Sequence, residues 1–266
     1  MPTLNNGREL GRLISDIVEK LNNITEAKNV IEYYWSSGLY AEKLLKFCFD
    51  EEEISLPVDI RKVAEKLGIR IEEVNINDFS NENVKRLNHK IAQLSVQENI
   101  FTGEKEAVIY ADKYIPPSSK RYGITNEIVQ YIFHKEEKKI YENYFVMPMC
   151  PVKEDELITE IFSIFLLIPM KSFLNEFYEY VKYRIDEQEI PISTEEWIKY
   201  LAERAGVSEY YVAYGYQYLR SIAYWVYLAW QDEESDSMGT KERNEVRKWM
   251  PKKRFDQLKE WIFQNE

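Results

Sequence analysis

Only two histidines, His89 and His134, occur among the 266 residues. That scarcity excludes the usual helical zinc motif, H-E-x-x-H, which needs two imidazoles four residues apart. Cysteine is equally rare. Cys48 and Cys150 stand far apart in no C-x-x-C pattern, which argues against a disulfide framework and for a reducing compartment. Each is expected to be a small buried hydrophobe. Positive charge is in short supply, with 35 Lys and Arg against 46 Asp and Glu and a net charge of −11. A chain-wide footprint for nucleic acid or an anionic membrane is excluded, although a local basic patch is not. Long apolar runs are missing too. The longest, from Ile161 to Met170, is broken by Ser163 and reaches about half of the ~20 residues that span a membrane. Residues Met1 to Asn6 lack the charged-then-apolar layout of a signal peptide. The expectation is a soluble cytoplasmic protein with no membrane partner, and no internal repeat is found.

What is there supports a sizeable core, since 45% of the residues are apolar and 20 are tyrosines. Leu10, Leu13, Ile14, Ile17, Val18 and Leu21 follow i, i+3, i+4, i+7 spacing and predict a helix over 8–22. A second helix is expected from Thr25, acting as its cap, to Ser36, and a third over 40–49, with Ser36-Ser37-Gly38 as a break between them. Pro57 suits the first turn of a helix whose apolar face is Val58, Ile60, Val63, Ala64 and Leu67, with Gly68 as its stop. Ile69, Ile71 and Val74 alternate as a half-buried strand does. Residues 77–88 read as a polar loop, 90–96 and 106–110 as strands, and 101–105 as their hairpin connection. Residues 114–120 read as a Pro/Ser loop before a helix over 124–134. Helices over 155–167 and 173–183 follow, divided by Pro169. Ser193-Thr194-Glu195-Glu196 is a capping box for the next helix. Gly206-Val207-Ser208 turns into a long aromatic helix ending near Trp230. Residues 231–240 read as a linker and the rest as a basic tail.

The stretch that carries chemistry is Asn126-Glu127-Ile128-Val129-Gln130, followed by His134. Positions 126, 130 and 134 share one helical face, with Glu127 beside the first. A zinc peptidase carries H-E-x-x-H-x-x-x-H in such a place. Here the two metal-holding positions are carboxamides, which are poor zinc ligands compared with imidazole or thiolate. Taken alone, this stretch is the polar turn of an ordinary surface helix.

Its surroundings change that weight. The chain resembles the ImmA/IrrE family of zinc metallopeptidases at four places in the right order. Leu56-Pro-Val-Asp-Ile through Leu67-Gly-Ile69 is similar to the helix and strand that open that fold. Arg121-Tyr-Gly-Ile-Thr-Asn-Glu-Ile-Val-Gln-Tyr-Ile-Phe-His134 resembles the family's R-F-T-I-A-H-E-L-G-H-x-x-x-H. Asn126 and Gln130 then fall on the metal histidines, Glu127 on the catalytic glutamate, His134 on the trailing histidine, and Val129 on a glycine. Glu156-Leu-Ile-Thr-Glu-Ile-Phe-Ser-Ile-Phe-Leu-Leu-Ile-Pro169 resembles E-x-x-A-N-x-F-A-x-x-L-L-M-P, with Glu156 on the third metal ligand and Thr159 on the alanine. Leu201-Ala-Glu-Arg-Ala-Gly-Val-Ser208 is similar to the helical region that follows. The second and third segments are the specific ones, and the resemblance covers about residues 55–220.

The resemblance implies an α+β, zincin-like fold with a small antiparallel sheet, a helical N-terminal extension and a helical C-terminal region. The expected division is 1–54 as the extension, 55–190 as the degenerate zincin-like domain, 191–230 as a helical, helix-turn-helix-like subdomain, and 231–266 as linker and basic tail. Asn126, Glu127, Gln130, Glu156 and His134 are expected to be vestigial positions in a metal-free, hydrogen-bonded cluster, with no cofactor and no metal. The expected function is that of a catalytically inactive pseudo-metallopeptidase binding a protein partner. That partner would be a regulator linked to a mobile element, phage or stress response, as for active relatives. The stripe Tyr210, Tyr214, Tyr218 and Trp225 is the candidate partner-binding face, with helix packing as the plainer reading. One alternative is an active peptidase that holds zinc through Asn126, Gln130, His134 and Glu156 and cleaves a repressor. Another is a nucleic-acid-associated regulator using Lys241, Arg243, Arg247, Lys248, Lys252, Lys253 and Arg254. Docking of that tail on the acidic body is the plainer reading. His89 has no ligand-like neighbours in sequence and reads as an ordinary histidine.

Overall fold

The computed structural model describes residues 4–25, 30–50, 54–75, 91–98, 105–133, 154–186, 193–230 and 240–249, together with 252, 253 and 256. Most of them are helical, and a three-stranded sheet lies among them. The expected loop over 77–88 and the tip of the expected hairpin fall outside the described residues.

Helix α1 (Leu4–Thr25) buries Ile14, Ile17 and Leu21, the apolar spacing read from the sequence, against α2 (Val30–Cys48). Thr25 is the last residue of α1 and stands five residues before Val30, where α2 is described from. One expectation fails here. Ser36-Ser37-Gly38 is no break, because α2 runs straight through it. A Cβ on Gly38 would lie 2.3 Å from Met170 Sδ. A helical glycine costs about 1 kcal/mol relative to alanine, and here it lets another part of the chain pack against bare backbone. Cys48 is buried as expected, and burial pushes its thiol up to about 12.

Helix α3 (Ile60–Lys66) starts three residues later than Pro57 suggested. The carboxylate of Asp59 caps it by accepting from the Arg61 and Lys62 backbone N–H groups at 3.0 and 3.2 Å, which is the work of an N-cap residue. Gly68, at φ +74°, ends the element as expected. Strand β1 (Ile69–Val74) then leads to β2 (Ala92–Glu98) and β3 (Lys105–Asp112). The sheet order is β1-β3-β2, with β1 parallel and β2 antiparallel to β3. The sheet is therefore mixed, which corrects the antiparallel expectation. β3 pairs back on β2 and inserts in the centre, so its other edge receives β1 in parallel.

Register decides which backbone groups face outward. Asp112 N–H donates to Ile91 C=O at 3.1 Å, which makes 91 and 112 a hydrogen-bonded pair. In an antiparallel ladder such pairs alternate. Residues 92, 94 and 96 of β2 thus point their N–H and C=O groups away from β3.

Helix α4 (Pro117–Phe133) begins at a first-turn proline, seven residues before the expected start. It packs across β2 and β3 at Gly123, where a Cβ would meet Ile91 Cγ2 at 2.5 Å and Ile91 Cβ at 3.1 Å. Helices α5 (Glu154–Leu167) and α6 (Met170–Asp186) flank Pro169 as expected. The start of α6 is held by Glu42 of α2, which accepts from Lys171 N–H at 2.7 Å. Ser193 caps α7 (Thr194–Ala205) by accepting from Glu196 N–H at 3.0 Å, and Gly206, at φ +64°, turns the chain into α8 (Glu209–Trp230). Helix α9 (Thr240–Trp249) returns onto α8.

One buried cluster runs through all of this, with Ile17, Leu44, Ile128, Phe162, Trp197 and Val246 among its members. Each of the four expected segments contributes to it. No helix among the described residues is long and apolar enough to cross a membrane.

Gly123→Ala should destabilise the protein by about 1–3 kcal/mol through overpacking, read from the denaturant midpoint. A second prediction concerns Glu176 on α6. It accepts from Arg204 at 2.8 and 2.9 Å and from Tyr200 at 2.9 Å. Burial pushes its carboxyl up, but the bonds from Arg204 and Tyr200 outweigh that and hold it below the ordinary range. Its contribution is present above the unfolded carboxyl pKa of about 4.3 and is lost as pH falls through the lower folded value. Glu176→Gln should flatten that part of the acid limb in stability measured against pH.

Candidate functional site

The seam where α4 meets α5 and the start of α8 holds the residues singled out from the sequence. On α4, Tyr122, Asn126 and Gln130 follow one another at i, i+4 spacing, and Glu127 lies one step round the helix. Asn126 turns toward α5, where its Oδ1 accepts from Ser163 Oγ at 3.4 Å. The Ser163 hydroxyl also reaches back to the Thr159 carbonyl at 2.7 Å, the common i−4 bond of a helical serine. Ser163 and Thr159 are both buried. Gln130 is half-buried and also makes polar or ring contacts.

Glu127 points the other way, at the sheet. It is 3% exposed, and its Oε2 accepts the backbone N–H of Leu94 at 2.7 Å. That N–H is one of those the β2 register turns outward. The close approach at Gly123, one turn earlier, brings α4 near enough for this bond.

Arg121, at the start of the same segment, donates through Nη2 to the Val58 carbonyl at 2.7 Å. Its own carbonyl accepts from Thr125 Oγ1 at 2.8 Å. Burial lowers the pKa of its guanidinium, and Asp59 pulls the other way.

Beside Asn126 the seam becomes a tyrosine cluster. Tyr122 stacks on Tyr211 with ring centroids 3.7 Å apart. Tyr214 donates to Glu160 Oε2 at 2.7 Å, Tyr218 donates to the Tyr214 oxygen at 3.1 Å, and the Tyr218 ring meets Tyr34 edge-on at 4.8 Å. Burial holds Tyr122 well above its ordinary range, and the Glu160 carboxylate pushes the same way. Tyr211 is pushed up to about 12 by burial, Tyr210 and Glu160. Tyr214 is raised by burial and by its bonds with Tyr218 and Glu160. These phenols stay neutral through the physiological range and serve as hydrogen-bonding groups.

The expected residues are thus only partly brought together. Asn126 belongs to the seam with α5, while Glu127 belongs to the sheet edge. Glu156 lies one turn before Thr159 and Glu160 on α5, but its side chain and the whole of His134 lie outside the described residues. Of the four positions that would hold zinc, Asn126 and Gln130 are described, and both offer carboxamides, which are poor zinc ligands. Glu127, on the position of the catalytic glutamate, has its Oε2 on the Leu94 N–H. Among the described residues no group of three or more His, Cys, Asp or Glu could hold a metal ion.

The stripe on α8 needs correction as a single partner-binding face. Tyr210 is 46% exposed, whereas Tyr218 is 4% exposed and Tyr214 is turned to Glu160. Along the described part of the stripe, exposure falls from Tyr210 through the half-buried Tyr214 to the buried Tyr218. The side chain of Trp225 lies outside the described residues.

Part of the basic tail is also engaged. Arg243 is buried, Arg247 Nε donates to Ala229 C=O at 2.7 Å and lies over the Trp230 ring, and Lys252 pairs with Asp256 at 2.9 Å. Arg247 thus meets the end of α8 through a backbone carbonyl and a ring, while the Lys252–Asp256 pair lies within the tail itself.

The sequence reading missed Tyr122, Tyr211, Glu160 and Ser163. Tyr122 was findable as the residue four before Asn126, and Glu160 as the residue four after Glu156. No protein-family model matches the chain, and neither do the curated proteins or solved structures.

Tyr214→Phe removes the hydroxyl between Glu160 and Tyr218 and should cost about 1.5–3 kcal/mol, the range for a hydrogen bond to a charged group. Tyr210→Ala should stay within about 0.5 kcal/mol, as exposed positions do. Chemical denaturation of both variants checks the contrast.

Proposed function

We propose that this chain is a non-catalytic, zincin-like protein of ImmA/IrrE type that acts by binding a protein partner. The partner on this reading is a regulator linked to a mobile element, phage or stress response. The observation that carries the proposal is the bond from Leu94 N–H to the buried Glu127 carboxylate. A general base must reach the water it deprotonates, and this carboxylate is instead committed to the backbone of β2. Asn126 supports the same reading, because its carboxamide oxygen is turned to a serine hydroxyl on α5. An exposed tyrosine beside a stacked pair, Tyr210 with Tyr211 and Tyr122, suits the aromatic anchors that protein interfaces favour.

Elemental analysis of protein purified without chelator should give less than about a tenth of an equivalent of any transition metal. Repressor-type regulators should survive incubation with the protein uncleaved, and one of them should give a saturable complex that Tyr210→Ala weakens. Near-stoichiometric zinc, with cleavage that Glu127→Gln abolishes, would overturn the reading.

A further inference from the structure

We propose that Glu127 is an edge guard. Its carboxylate holds the outward face of β2 closed to strand pairing, and without it β2 of one copy pairs with β2 of a second. This inference does not rest on the partner-binding reading.

The argument starts from position. In the order β1-β3-β2, β2 is the terminal strand among the described residues. The register turns the backbone groups of 92, 94 and 96 away from β3. A row of outward N–H and C=O groups is a template for another strand, and natural sheets blunt it with charges, bulges or coverings. Leu94 sits at the middle of that row, and Glu127 takes its N–H at 2.7 Å. An incoming strand must supply a carbonyl at that place. It would first have to displace a carboxylate that is 3% exposed.

The occupant follows from β2 itself. β2 reads Ala-Gln-Leu-Ser-Val-Gln-Glu, with no proline and one charge, Glu98, at its far end. Short segments of low charge and without proline pair with copies of themselves. Val96, toward the open end of the row, is 53% exposed. Two β2 strands can meet antiparallel about a two-fold axis, so that each supplies what the other lacks.

The test uses the full chain and its Glu127→Ala, Glu127→Gln and Glu127→Ala/Val96→Lys variants. Amide hydrogen exchange is followed at Leu94, and sedimentation velocity is run over a concentration series. In the wild-type chain Leu94 should exchange as slowly as the ladder amides of β3. Glu127→Ala should speed that exchange roughly tenfold or more, the loss expected for one hydrogen bond to a charged acceptor. It should also shift the sedimentation profile to a larger species with rising concentration. Glu127→Gln keeps an acceptor oxygen and should behave as wild type. A lysine at position 96 should abolish the new association, as edge lysines do. Fast exchange at Leu94 in the wild-type chain would overturn the proposal even if Glu127→Ala fails to fold. A folded Glu127→Ala with unchanged sedimentation would also overturn it, as would association that Val96→Lys leaves intact.

Discussion

Taking a carboxylate out of water is costly unless charge-assisted hydrogen bonds replace the lost solvation. Glu127 meets that requirement with the Leu94 backbone N–H, and much of the centre of the molecule is arranged so that it can. Gly123 lets α4 approach β2 at Ile91, the register of β2 on β3 turns the Leu94 N–H outward, and Ile124, Ile128 and Ile132 bury the rest of the helix. The bond in turn ties the helix that carries Asn126 and Gln130 to the sheet, and so sets how that helix presents its opposite side to α5.

That opposite side gathers neutral groups around one carboxylate. Asn126 faces the Ser163 hydroxyl, which bonds the Thr159 backbone carbonyl, and Tyr214 and Tyr218 pass a hydrogen-bond chain to Glu160. Neutral donors of this kind can solvate a carboxylate inside a protein without bringing a second ion into low dielectric. The elevated pKa values of Tyr122, Tyr211 and Tyr214 follow from burial and from the same carboxylate.

Much of the fold was legible because local periodicity and caps act over a few residues. The apolar spacing of Ile14, Ile17 and Leu21, the stop at Gly68, the Ser193 cap and the turn at Gly206 all stand where the sequence placed them. The misreadings have a shared cause. Gly38 was read as a break because glycine is a poor helix former, yet Met170, 132 residues away in sequence, makes use of its missing side chain. Pro57 was read as a helix start because proline suits a first turn, but the Asp59 carboxylate competes better by satisfying two N–H groups. The candidate site was legible only as a list of positions. Spacing put Asn126 and Gln130 on one face, but no local rule could tell that Glu127 reaches a strand 33 residues earlier, or that Tyr218 turns inward to Tyr34.

The sequence by itself determined the type and order of most helices and strands but not all their ends, the lack of any pair of histidines four residues apart, and the grouping of carboxamide and carboxylate along one helix. Those are properties of residue type and spacing. The tertiary structure alone decided that β3 lies between its neighbours, that β1 joins it in parallel, and that the Glu127 carboxylate meets a backbone amide on the sheet edge. Such outcomes depend on which distant surfaces exclude water together, and a buried polar group takes whichever partner that packing brings within reach.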